Sequence, residues 1–397
     1  MELAFNKRTA LALMRTLRAA NPHGQVFTHR TNLRKPDIHP MKLWSRSTPE
    51  CIETEMSLPC RLNQEQIDLA VPARETRIRA QGVACTVYTS SIPADSFIDI
   101  GHGALISSPE LLFVELAASM HPIEHLMLGH ELCGTFCRNA ASPYNKSVIY
   151  GAPPLTSVAR IAKFLEDSRS IIGIGKARKT LSFLNDNAWS PTESLIAAYL
   201  RLPIDDLGYE LGELSLNPRV PFESRLPGAK SSRVPDIMIT GTPVGINYDG
   251  LVHLDLSPVI RAAVELGAHP EAAYTQAELN KAAARVRNKA LDDIRRNREL
   301  AVDGLTVLPV TKEDLYTQNG LNQLVSQLLD FLERFDGRDV KRQRKSLRQR
   351  LLNEDRYRLM LSFLPGNHER DVQVGHYVGG YKAYDGPSEI HECWIEL

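Results

Sequence analysis

The sequence has no apolar run near the roughly 18 residues that suggest a membrane span. It carries no net charge either, with 47 Lys+Arg against 47 Asp+Glu over 397 residues. Whole-chain attraction to nucleic acid or anionic lipid is therefore excluded, and any such partner must meet a local patch. Cysteine is sparse: six residues, scattered without the spacing of a disulfide scaffold, which fits a reducing cytoplasm. There is no internal repeat. The first twenty residues carry Arg and Lys throughout and lack an uninterrupted apolar core, so they do not read as a signal peptide. What remains is ordinary: 43% hydrophobic and 24% charged, the mix of a globular chain rather than a disordered one. The length suggests two or three domains.

Residues 1–20 read as one basic amphipathic helix, with Leu3, Leu11, Leu13, Met14 and Leu17 on its apolar side. Residues 25–105 read mostly as strands between Pro, Gly and Ser breaks. Helices are expected to open at Ser107-Ser108-Pro109-Glu110 and at Pro122, the latter ending near Gly129 or Gly134. Gly151-Ala152-Pro153-Pro154 reads as a linker. Two helices, about 156–168 and 175–186, follow it, and Ser190-Pro191-Thr192-Glu193 opens another. Residues 203–233 look irregular. A hairpin is expected next, Val234–Thr240 and Pro243–Asp249 around Gly241-Thr242. A long helix over 276–302, a strand at Leu305–Val310 and a helix over 319–335 complete the pattern. The order helix, strand, strand, helix, strand in 190–310 predicts an α/β core.

The hairpin register follows from its two-residue loop. Thr240 faces Pro243, so Asp236 lies opposite Asn247. Strand side chains alternate, so Asp249 shares a face with Asn247 and is a diagonal neighbour of Asp236. Three oxygen-bearing side chains thus come within reach of one cation. Magnesium is commonly held by one or two carboxylates with waters and phosphate oxygens. A metal there can polarise a phosphodiester and activate a water.

At these residues, VPDIMITGTPVGINYDGLVH resembles the strand–turn–strand motif of the PD-(D/E)XK nuclease superfamily, in its very-short-patch-repair-like branch. LDDIRRNRELAVDGLTVLPVTKEDL resembles that branch's Arg-bearing helix and final strand, and the helix with Glu193 resembles its first acidic helix. The chain also resembles a group of actinobacterial proteins through PELLFVELA, LGHELCGTF, PPLTSVARIAKFLE and the SPTE helix. Some N-terminal halves in that group are similar to abortive-infection antitoxins, which are transcription regulators. The resemblance implies a nuclease-like core in 151–335 behind a helical linker. It also implies an α+β regulator-like domain in 1–150, and leaves 336–397 as a basic, partly flexible tail. It implies magnesium held by Glu193, Asp236 and Asp249, with Asn247 a weak ligand and His253 or Arg295 assisting near the phosphate. The sequence departs from the family where Asn247 stands in place of Glu, which removes one negative charge. A DNA-directed protein with weak or absent hydrolysis is the expectation. A DNA-binding regulator that keeps the fold as a scaffold and a protein-interaction module are the alternatives.

Each acidic residue also has a plain structural reading. Glu193 lies three after Ser190, a capping box by itself. Asp236 precedes a strand where Asp often serves a turn, and Asp249-Gly250 is a turn dipeptide. Arg295 and Arg296 are candidate phosphate contacts, with Asp292, Asp293 and Glu299 as competing local partners. Lys341, Arg342, Arg344 and Lys345 belong to a run of eight Arg or Lys over 334–350. That run suits a polyanion contact, a solvated helix or a tail equally. His121, His125, His130, Cys133 and Cys137 contain i, i+4 pairs, but CxxC is missing, so a buried helical pair is favoured over zinc.

Overall fold

The computed structural model describes residues 2–22, 27–35, 52, 56, 58, 66–89, 92–138, 148–221, 232–249, 257–269 and 273–364. The architecture is mixed α/β. Two compact units divide the chain, one of Met1–Gly208 with Arg358 and the described residues after it, the other of Tyr209–Tyr357.

The first unit begins with a strand, not with the helix expected for residues 1–20. β1 (Leu3–Phe5) precedes α1 (Lys7–Ala20). β1 is buried throughout, parallel to β6 (Ala104–Ser107) on one side and antiparallel to β3 (Ile67–Val71) on the other. A central strand covered on both faces shows a continuous apolar run, which three residues cannot distinguish from a helix turn. The sheet has the order β2 (Arg30–Thr31), β5 (Phe97–Asp99), β6, β1, β3, β4 (Val83–Val87).

α2 (Pro109–Ala117) starts one residue later than the Ser107–Glu110 spacing suggests. Ser108 is its cap, with Oγ accepting from the Leu111 N–H at 3.3 Å and Pro109 in the first turn. Glu110 instead accepts both arms of the Arg30 guanidinium, at 3.0 Å each, and the Thr156 hydroxyl at 2.7 Å. α3 (Pro122–Cys133) runs through Gly129 and stops at Gly134. Gly129 sits where an added Cβ would lie 2.6 Å from Leu184. A ribbon of β7 (Phe136–Arg138) and β8 (Val148–Tyr150) follows, then α4 (Val158–Asp167), α5 (Ile174–Leu181) and α6 (Pro191–Arg201). The Gly-rich stretch at Gly173 is a packing feature: its φ is 94°, and a Cβ there would meet the Val114 carbonyl at 2.5 Å.

Arg18 fixes this unit internally. It is 4% exposed. Its guanidinium donates to the carbonyls of Glu131 (3.1 Å), Phe136 (2.8 Å), Gly134 (3.1 Å), Ala152 (3.4 Å) and Pro153 (2.7 Å). The Gly151–Pro154 stretch, expected as a linker, is thereby tied to α1.

The second unit contains a four-stranded sheet of β9 (Leu214–Leu216), β12 (Ile237–Ile239), β13 (Val244–Asp249) and β14 (Thr306–Thr311), in the order β14-β13-β12-β9. β12 is antiparallel to both neighbours, and β14 is parallel to β13. A parallel pair needs a long crossover. Here it contains α7 (Ser257–Ala268) and α8 (Ala273–Val302). β10 (Val220–Pro221) and β11 (Ser232–Arg233) make a short ribbon within the stretch that looked irregular. α9 (Lys312–Tyr316) and α10 (Gly320–Asp336) follow β14, and Leu321, Leu324, Val325, Leu328, Leu329 and Leu332 form the buried face of α10. The basic stretch after it is helical, as α11 (Lys341–Leu347) and α12 (Arg350–Phe363). Among the described residues no helix is long and apolar enough to cross a membrane.

Candidate functional site

The hairpin has the register that its loop dictates. Ile237 pairs with Ile246 and Met238 with Gly245, so the next step outward sets Asp236 opposite Asn247. On the other side Ile237 pairs with Leu216, which sets Asn217 opposite Asp236. Asn217, Asp236 and Asn247 therefore form one row across three strands, and in-register neighbours share a face. Asn247 stands beside Pro309 of β14.

Hydrogen bonds make this row a clasp. The Asp236 backbone N–H donates to Asn247 Oδ1 at 3.0 Å, and the Tyr248 N–H donates to Asp236 Oδ2 at 2.6 Å. The Asn217 N–H donates to the Asp236 carbonyl at 2.8 Å. Just beyond the last paired residues of β12, side chains take over the work of the backbone ladder. Asn247 is 2% exposed, and its Nδ2 has no hydrogen-bond partner among the described residues.

This pair does not fit magnesium well. The ion requires anionic oxygens and gives up water reluctantly. Asp236 Oδ2 and Asn247 Oδ1 already accept backbone N–H groups, and the Asn247 Nδ2 beside them is a donor. Among the described residues no three His, Cys, Asp or Glu side chains gather as a metal site. Asp249 ends β13 beside Thr311. Its side chain, and the whole of His253, lie outside the described residues.

Glu193 belongs to the first unit, in the first turn of α6. Its N–H donates to Ser190 Oγ at 3.1 Å, and its carboxylate accepts from the Trp189 N–H at 3.2 Å. That is the reciprocal arrangement of a helix cap, with the return bond one residue further out than usual.

The basic candidates divide in two. Arg285, Arg287, Arg295 and Arg298 are exposed along α8, while Arg296 reaches Asp293 at 3.4 Å. Arg233, which the sequence did not single out, is 6% exposed and bridges β11 to α8 through Asp292 (3.1 Å) and Glu299. In the run after α10, Arg342 pairs with Glu210 at 3.0 Å and Arg344 with both Asp330 and Glu333 at 2.7 Å. Lys341 reaches Asp339 at 3.5 Å and Lys345 is exposed. Residues 341–350 contain no acid of their own, but Asp339, α10 and Glu210 supply them.

The His/Cys stretch is dispersed along α3 and β7. His121 caps α3, its Nδ1 accepting from the Ile123 N–H at 3.2 Å. His125 stacks on Phe113 with centroids 4.2 Å apart, and its Nε2 is 2.7 Å from the Phe113 carbonyl. His130 is 1% exposed with the Ser194 backbone as its polar neighbour. Burial pushes all three histidines down to about 4. Burial also raises the Cys133 thiol well above its usual value and the Cys137 thiol to about 11, so neither is an activated thiolate.

Sequence reasoning missed two further polar clusters. Glu131 is held by Arg15 at 2.6 Å and Arg138 at 3.7 Å, and these cations outweigh burial to keep its carboxyl below the usual range. Glu115 accepts from the Tyr88 hydroxyl and from the Lys7 N–H at 3.1 Å, with burial raising its carboxyl. Beside α1, a cavity of about 640 Å³ is lined by His29, Arg30, Arg34 and Asp99. Its two arginines already fork onto Glu110 and reach Glu2. No protein-family model, curated protein or solved structure matches the chain.

Proposed function

We propose that the chain is a DNA-directed protein whose second unit keeps a PD-(D/E)XK-like core with a degenerate acidic site, giving weak or absent phosphodiester hydrolysis. One observation carries this reading: the three-strand row that sets Asp236 opposite Asn247 in a mixed sheet whose last strand is parallel. Within the second unit, the order β12, β13, crossover helices, β14 is what the sequence resemblance implies for such a core. Degeneracy is supported by what the row does now. One oxygen of the carboxylate and that of the amide already hold two strands together, and the amide adds a buried donor where an acid is expected.

DNA contact in this reading falls to the exposed arginines of α8 rather than to the run at 341–345. Arg287, Arg295 and Arg298 stand in solvent, whereas Arg342 and Arg344 are neutralised by Glu210, Asp330 and Glu333. Three phosphate contacts release counterions in proportion, so log K for duplex DNA should fall against log salt with a slope of about −3. Fluorescence anisotropy across a salt series measures it. Arg295→Glu with Arg298→Glu should weaken binding at every salt concentration and flatten the slope. No binding at low salt would instead favour the protein-interaction reading.

A further inference from the structure

α7 is apolar on two opposite sides. Its buried and half-buried positions are Pro258, Val259, Ala262 and Leu266, which recur at helical spacing and face the unit's interior. The opposite side is also apolar. Ile260 is 55% exposed and Val264 is 68% exposed, and Ala263, Gly267 and Ala268 are exposed with them. These five positions follow i, i+3, i+4, i+7, i+8, the spacing of a face built to be covered. Scattered exposed apolar residues are ordinary, but a contiguous helical stripe marks an interaction site.

The charges beside the stripe select its occupant. Arg261 and Glu265 are four residues apart, both exposed and both on the same flank. Among the described residues neither forms an ion pair. When two identical helices pack antiparallel about a two-fold axis, each flank meets the same flank of the other copy, running the opposite way. With the axis beside Ala263, Arg261 of each copy meets Glu265 of the other, giving two cross-pairs from one residue pair. A parallel arrangement would give neither. Small side chains at Ala263 and Gly267 allow close approach at the centre, while Ile260 and Val264 supply the apolar contact.

We infer that the outer face of α7 is a self-association surface, and that its occupant is α7 of a second copy in antiparallel, two-fold contact. Such a contact is isologous, and it closes at the dimer rather than growing into a filament. A face three helical turns long is at the low end of specific interface sizes, so the dissociation constant should be on the order of 10–100 µM.

Sedimentation velocity of the full chain over a range of concentrations spanning that value tests the inference. The wild type should shift from monomer to dimer as concentration rises. Val264→Glu should remain monomeric, with far-UV circular dichroism and melting temperature retained because the position is exposed. Arg261→Glu alone places like charges opposite each other and should weaken association at least tenfold. Arg261→Glu with Glu265→Arg recreates the pairing with signs exchanged and should recover the wild-type constant. A wild type that stays monomeric throughout overturns the inference. So does a dimer indifferent to Val264→Glu, and so does a double variant that behaves no better than Arg261→Glu.

Discussion

At the residue scale, the first unit relies on buried polar groups whose partners lie far away in sequence. Arg18 has the plainest role. Its planar fork reaches five carbonyls from α3, β7 and the Ala152–Pro153 stretch, a geometry that a lysine ammonium cannot reproduce. Arg18→Lys should cost about 3 kcal/mol, in the range of charged hydrogen bonds broken in a buried site. Urea unfolding measures this, and a loss under about 1 kcal/mol would contradict the assigned role. The histidines of α3 give a pH signature. His125 and His130 are buried and His121 is half-buried, and desolvation lowers all three to about 4 in the fold against a usual 6.5. Between those values the unfolded chain binds more protons, so stability is complete above about 6.5 and falls as pH drops towards 4. Replacing one of them with a side chain that does not titrate, His130→Gln, should remove roughly 3 kcal/mol of that decline. Parallel pH–stability curves for the wild type and His130→Gln would rule out the cause.

At the element scale, what could be read from the sequence depended on how local the cause was. The starts at Pro109, Pro122 and Pro191 were readable because proline and a capping side chain act within one turn. The hairpin register was readable because a two-residue loop fixes it by counting. β1 was not, because three apolar residues have no period of their own and become a strand only between β6 and β3. The acids that neutralise Arg342 and Arg344 were invisible for the same reason: they come from α10 and from Glu210. The stop of α3 at Gly134 has a steric cause as well as a local one. A Cβ at this residue would lie 2.4 Å from both the Ala188 and His130 carbonyl oxygens, neither of which can swing aside as a side chain would. Gly134→Ala should therefore cost about 3 kcal/mol, the upper end for overpacking, measured by thermal or urea unfolding. A neutral substitution would mean that the α3–β7 corner is looser than described.

At the scale of the whole molecule, the chain has no net charge, so the proposed DNA contact would rest on where exposed cations stand. α8 leaves several in solvent, while the run after α10 spends two of its arginines on fold stability. The acidic row has made a similar commitment, with its oxygens holding β12 to β13. On the proposed reading, this protein engages DNA with weak or absent phosphodiester hydrolysis. Incubating supercoiled plasmid with magnesium and either wild type or Asp236→Asn tests that claim most directly. The variant keeps an acceptor for the Tyr248 N–H and so preserves the clasp. The account predicts at most trace nicked product from either protein. Rapid, complete magnesium-dependent conversion of the plasmid by the wild type that disappears in Asp236→Asn would contradict it.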